Sequence, residues 1–173
     1  MVEYIEKYSL LNGINVPRET FLTFEKLIEL IIQKNRKINI ISNESQENMR
    51  KRHIIDSAQA IDLIDLNDNI CTDIGAGGGL PGLVLAIMIK NLNKNVKIEL
   101  YEKSYHKSAF LREVSRKLNL NTEVFQKDIF KSKNLSSGTI IARAFKPLPV
   151  VLELVHENFK NYKNLILFMG ING

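Results

Sequence analysis

Only one cysteine, Cys71, occurs in the chain, so no internal disulfide can form and a reducing cytoplasm suits it best. Long apolar runs are missing too. The longest, residues 83–89 (LVLAIMI), falls far short of the roughly 20 residues that a membrane-spanning helix needs. The opening MVEYIEKYSL carries acids early and no apolar core, so neither a secretory signal nor a membrane partner is expected. The three histidines, His53, His106 and His156, lie far apart in sequence and none is beside Cys71, so no metal site is expected either.

Hydrophobic residues make up 45% and charged residues 25% of 173 residues, the balance of one ordinary soluble domain with a small appendage. The net charge of +5 fits a polyanionic partner, and equally a chain rich in Ile, Lys and Asn. Residues 17–34 place Phe21, Phe24, Ile28, Ile31 and Ile32 at helical spacing, with Pro17 in the first turn. A second helix is predicted from near Ser45 through ENMRKRHIIDSAQAI, with His53, Asp56 and Ser57 on one face. After residue 68 short strands (69–74, 96–101, TEVFQ, GTIIARA, NLILFM) alternate with helices at 80–90, 107–118 and 149–159. That alternation predicts an α/β fold with a parallel sheet covered on both faces. The soft boundary near residues 65–69 divides a helical cap, residues 1–66, from the α/β part, residues 67–173.

Glycine is scarce except at one place. Five of the nine glycines fall within CTDIGAGGGLPG, residues 71–82, at the end of the first predicted strand. In an open α/β sheet ligands bind at the carboxyl ends of the strands, so this loop is the default site. Gly77, Gly79 and Gly82 formally match the dinucleotide pattern G-x-G-x-x-G, but they start late relative to the strand end. Asp73-Ile74-Gly75-Ala76-Gly77 is in the register used for S-adenosylmethionine, whose amino-acid group needs backbone N–H donors and acceptors rather than a pyrophosphate seat. Glu102 ends the second strand, where an acid can accept both ribose hydroxyls, and Asp128 comes after the third, beside the place for adenine.

The segment after the fourth strand narrows the nucleophile. ARAFKPLP stands where amine methyltransferases carry an Asn/Asp/Ser-Pro-Pro-Tyr/Phe loop, and Cys71 precedes Asp73, the wrong side for a pyrimidine-attacking thiol. A ring nitrogen with a free lone pair, such as guanine N7, needs no base. An NAD-type oxidoreductase and a non-catalytic RNA-binding remnant remain open as alternatives.

The segments NRKINIIS, RHIIDS, DIGAGGGLPGLVLAI, EKSYHKSAFLREV and ARAFKPLP resemble the glucose-inhibited division protein B family, bacterial guanine-N7 methyltransferases of 16S ribosomal RNA, over residues 21–170. The resemblance implies a Rossmann-type methyltransferase sheet with an N-terminal helical cap, in a free-standing cytoplasmic enzyme expected to act as a monomer. It implies S-adenosylmethionine as cofactor and 16S ribosomal RNA or the small ribosomal subunit as partner. By position, Gly75 and Leu80 would line the cofactor site, Asp73 and Gly77 would shape the loop, and Glu102 would take the ribose. Asp128 and Ile129 stand at the family's Arg-x-Glu segment beside adenine, and Arg143 in the Arg-Ala-Phe segment would act at cofactor and substrate. Arg52, His53, Asp56 and Ser57 would face the substrate from the cap. His106-Lys107 replaces the family's Lys-Lys, and Met169-Gly170 its Lys-Gly. The family continues into a further helix and a final strand pair, which this sequence is expected to lack.

Overall fold

A computed structural model describes residues 16–170 except 44, 45, 47 and 48, and for residues 50–52 the backbone only. Five parallel strands form the main sheet: β1 (Ile70–Ile74), β2 (Lys97–Tyr101), β3 (Thr122–Phe125), β5 (Thr139–Arg143) and β7 (Asn164–Phe168), in the order β3-β2-β1-β5-β7. The order reverses at β1, so the crevice between the loops after β1 and β5 is the switch point where such sheets bind ligands. Two very short strands, β4 (Leu135–Ser136) and β6 (Phe159–Asn161), pair beside it. They carry no periodicity, and the sequence pattern did not predict them.

Alternation along the strands sends side chains to two cores. Cys71, Ile98, Leu100 and Ile141 face one side, under α1 (Arg18–Asn35), α3 (Gly82–Asn91) and α4 (Tyr105–Lys117). Ile74, Tyr101, Ile140 and Ala142 face the other, under α5 (Leu148–Asn158). The run LVLAIMI lies in α3, buried throughout because α1 crosses over it as the sheet lies beneath. A helix apolar all round is a buried helix. On α1 the stripe holds Phe21, Phe24, Ile28 and Ile31 as expected, while Leu27 is fully buried and Ile32 only half-buried. No helix among the described residues is long and apolar enough to cross a membrane.

The predicted second helix is not continuous. Met49–Ile55 winds as a π-helical stretch, Asp56–Gln59 forms a short α2, and Ala60–Leu63 closes as a 3-10 turn. Its expected start near Ser45 lies outside the described residues. The wider winding changes which residues share a face. His53 and Asp56 turn toward the sheet edge, whereas Ser57 is fully buried with no hydrogen-bond partner among the described residues.

The cap is tied to the site through Asn35. Its carboxamide oxygen accepts the N–H groups of Ile40 and Ile41 at 2.8 and 3.0 Å, which holds the turn after α1 against the glycine loop. A Cβ at Gly78 would stand 2.8 Å from the Ile40 side chain.

Candidate active site

The loops after β1, β2, β3 and β5 surround one cavity of about 540 Å³, a size suited to a small organic ligand. Its floor is the loop Gly75–Gly78. Gly77 holds a φ of +55°, and a Cβ there would meet nothing nearer than 3.8 Å. Backbone therefore faces open cavity, a surface that a ligand can approach closely. The Phe145 ring packs on the α-carbon of Gly75, and Phe130 stacks on Phe145 with ring centres 6.0 Å apart.

Glu102 bridges two loops. One carboxylate oxygen accepts the Gly77 N–H at 2.9 Å and the other the Ser104 N–H at 2.7 Å. The group is thereby fixed at the cavity wall, with lone pairs left for a ligand. Asp128 accepts the Phe130 N–H at 3.1 Å and starts the turn that presents Ile129 and Phe130. Asn158, at the end of α5, donates to the carbonyls of Ile129, Phe130 and Ser132 and so locks that turn. Sequence reasoning missed Asn158, because nothing in HENF marks its partners 26–29 residues away.

Asp73 does not reach the cavity. It is fully buried beneath the loop, where its carboxylate accepts the Gly82 N–H at 2.9 Å. The next donor, Leu83 N–H, is taken by Gly79 O at 2.7 Å. The amino end of α3 is thus closed, and a pyrophosphate has no seat there. That geometry overturns the dinucleotide reading of Gly77, Gly79 and Gly82.

Burial pushes the Asp73 carboxyl up to about 7, against the pull of the Gly82 N–H and Arg143. Between about pH 4 and 7 the unfolded chain has lost this proton and the folded protein keeps it, so stability falls as pH rises through that window. Asp73→Asn retains an acceptor for Gly82 and removes the titration. The denaturant stability of the wild type, relative to Asp73→Asn, is expected to fall between pH 4 and 7 by up to about 4 kcal/mol and then level off. A constant difference across that range would show that Asp73 titrates normally.

Arg143 ends β5 at the opposite wall. It donates to His53 Nδ1 at 3.0 Å, lies 3.7 Å from the Asp56 carboxylate, and stacks over Phe168 at 4.4 Å. Arginine has only donors, so His53 Nδ1 accepts and the ring proton sits on Nε2. Burial lowers the Arg143 pKa from its ordinary value, and Asp56 and Asp73 oppose the shift. Ala144 comes next, with a φ of +45°, a left-handed conformation rare for a residue with a Cβ. The strained turn lets Arg143 and Phe145 on either side of it both line the cavity. Cys71 offers no nucleophile: burial, then neighbouring Asp73, pushes its thiol pKa well up.

Residues 21–172 match the family described as GidB, rRNA small subunit methyltransferase G. The chain belongs to the GidB family. It is 58% identical over 175 positions to Ribosomal RNA small subunit methyltransferase G of Pelagibacter ubique (strain HTCC1062), covering 100% of this chain and 82% of that protein. The protein of the same name from Ruegeria pomeroyi (strain ATCC 700808 / DSM 15171 / DSS-3) is 33% identical over 149 residues, covering 86% and 72%. Among solved structures, magnesium protoporphyrin IX methyltransferase (ChlM) from Synechocystis PCC 6803 with bound SAM aligns with a TM-score of 0.54 at 12% identity. That alignment covers 84% of this chain and 74% of the other. The shared feature there is the fold, a Rossmann-like methyltransferase sheet.

In this GidB-family chain, Gly75, Gly77, Leu80, Glu102, Asp128, Ile129, Arg143 and His53 converge on the one cavity. Asp73 supports the loop from below, Asp56 reaches Arg143 from the solvent side, and Ser57 is buried apart from the cavity. The side chain of Arg52 lies outside the described residues. Unforeseen lining groups are Lys103, Lys107, Lys127, Lys146 and the rings of Tyr101, Phe130 and Phe145. A legible signal existed: lysine stands within two residues of the ends of β2 and β3, and three after β5.

Proposed function

We propose that the chain transfers a methyl group from S-adenosylmethionine to N7 of a guanine in 16S ribosomal RNA, acting as a monomer in the cytoplasm where small ribosomal subunits are assembled. The observation that carries the reading is the Glu102 carboxylate, pinned by two backbone N–H groups at the rim of a glycine loop whose backbone faces open cavity. Such a carboxylate suits a ribose diol, and the open loop suits an amino-acid carboxylate. Family membership adds the ribosomal RNA substrate.

When bound, the cofactor would supply an electrophilic sulfonium methyl carbon, to which the lone pair of the target nitrogen would bond as the carbon–sulfur bond breaks and S-adenosylhomocysteine leaves as the neutral thioether. Guanine N7 fits because no proton has to leave it. The cavity's histidine is no base: Arg143 occupies Nδ1 of His53, and Nε2 carries the proton. Gly75, Gly77 and Leu80 would hold the amino-acid end of the cofactor, Glu102 the ribose, and Asp128 with Ile129 the adenine. Arg143, His53, Asp56 and Arg52 would face the RNA. Asp73 would act from beneath, as a support of the loop, and Ser57 lies buried apart from the cavity.

The direct test is a methyl-transfer assay on small-subunit RNA followed by mapping of the modified atom; a methyl group on any atom other than guanine N7 would reject the reading. Glu102→Ala is expected to weaken S-adenosylhomocysteine binding about 10- to 100-fold, from the loss of charge-assisted bonds to ribose. Titration calorimetry checks this, and unchanged affinity in a folded variant would remove Glu102 from the site.

A further inference from the structure

Four lysines stand around the mouth of the cavity, and among the described residues none of them is within ion-pair distance of an acid. Lys103 lies in the loop between β2 and α4, Lys107 in the first turn of α4, Lys127 just after β3 with its ammonium over the Tyr101 and Phe125 rings at 5.5 and 4.9 Å, and Lys146 just after β5. On other surfaces Lys97, Lys117, Lys133 and Lys163 are paired with Glu123, Glu113, Glu157 and Asp65, while Lys26, Lys37, Lys94, Lys131 and Lys160 have no acid partner among the described residues. What marks the four at the cavity is therefore their gathering around one mouth. Lys107 even sits in the first turn of the 13-residue α4, a turn without an acid, where the helix dipole disfavours a cation. With Arg143, five cations line the cavity against two acids, Glu102 and Asp128.

The methyl donor does not account for this excess. It carries a sulfonium and an ammonium against one carboxylate, so it is itself a cation and is repelled. An anion of another kind is required. Between Lys103 and Lys107 stands Tyr105, 66% exposed, its ring edge-on to His106 at 5.5 Å. A large aromatic ring left in water beside unpaired lysines matches a surface for nucleic acid, in which cations track the backbone and rings stack on bases.

We propose that Lys103, Lys107, Lys127 and Lys146 form a phosphate collar for an unpaired RNA strand crossing the cavity mouth, with Tyr105 as the stacking platform for a base beside the target. The proposal rests on the RNA-methyltransferase reading above and names how that substrate is held. An unpaired strand fits better than a duplex, because a duplex keeps its bases stacked and out of reach of the cavity. Charge also couples the two ligands. Phosphates on the collar cancel its repulsion of the cationic donor, so RNA and S-adenosylmethionine tighten each other's binding, whereas neutral S-adenosylhomocysteine gains less.

The test measures binding of small-subunit ribosomal RNA against salt. Changing all four collar lysines to glutamine (K103Q, K107Q, K127Q, K146Q) is expected to reduce the log–log salt slope by roughly 3. A control variant, K97Q with K133Q and K163Q, should change it by less than about 1, since those charges already have partners. Calorimetry with S-adenosylhomocysteine checks that the collar variant is folded with its cofactor site intact. Tyr105→Ala should weaken RNA binding about tenfold, with Tyr105→Phe close to wild type. A wild-type slope in the collar variant, or wild-type affinity in Tyr105→Ala, overturns the proposal. The two readings fail separately. RNA held through the collar without methyl transfer rejects the function and keeps the collar. Methyl transfer with a slope the four lysines do not change rejects the collar and keeps the function.

Discussion

Methyl transfer is expected to fall about 100-fold when Arg143 is replaced by alanine, because misplacing a reacting group by about an ångström costs that much. The guanidinium is held from three sides, by His53 at 3.0 Å, Asp56 at 3.7 Å and the Phe168 ring at 4.4 Å. A group so constrained loses little further freedom when it holds a carbonyl or phosphate of the target. Arg143→Lys keeps the charge but lacks the planar fork, so it cannot satisfy all three contacts and should lose most of the same rate. Phe168→Ala removes only the stacking contact and should cost about tenfold or less. Affinity for S-adenosylhomocysteine, measured alongside, separates a positioning loss from a collapsed site. A near wild-type rate for Arg143→Ala with cofactor binding intact would take Arg143 out of the reaction.

Stability is expected to drop by about 2–4 kcal/mol in Gly82→Ala, a large share of the roughly 5–15 kcal/mol that holds an ordinary domain together. Helix propensity alone argues the opposite, since Gly82 begins α3 and alanine is about 1 kcal/mol better than glycine in a helix. Sterics decide. A Cβ at Gly82 would stand 2.4 Å from Leu100 Cδ2 and 2.5 Å from Asp73 Oδ2. Both neighbours are buried, so relief requires repacking β2 or breaking the Asp73–Gly82 hydrogen bond. The urea midpoint measures this. A midpoint equal to or above that of the wild type would mean that the loop yields at no cost and Asp73 is no clamp.

These effects lie where sequence and structure contribute differently. Strands at residues 70–74, 97–101 and 164–168 were legible because short apolar runs between turn signals have few other conformations open to them. The α1 stripe was legible because residues three and four apart must share a face. Glycines placed at a strand end, with an acid two residues before the first, gave the cofactor class. The π-helical stretch at Met49–Ile55 was not legible, because its winding goes with a contact 90 residues away, Arg143 to His53.

The sequence by itself therefore determined the α/β class, the glycine loop as the binding site and Glu102 as a wall residue, all properties set by neighbours in the chain. Only the tertiary structure decided the sorting of the remaining residues. Asp73 became a buried clamp on α3, Ser57 a core residue, and Asn158 the lock on the Asp128 turn. Lysines from three loops and the first turn of α4 became one collar without an acid partner among the described residues. The physical reason is that burial and charge pairing depend on which distant segments the sheet brings together. Strand order, which is not written in local periodicity, sets those neighbours.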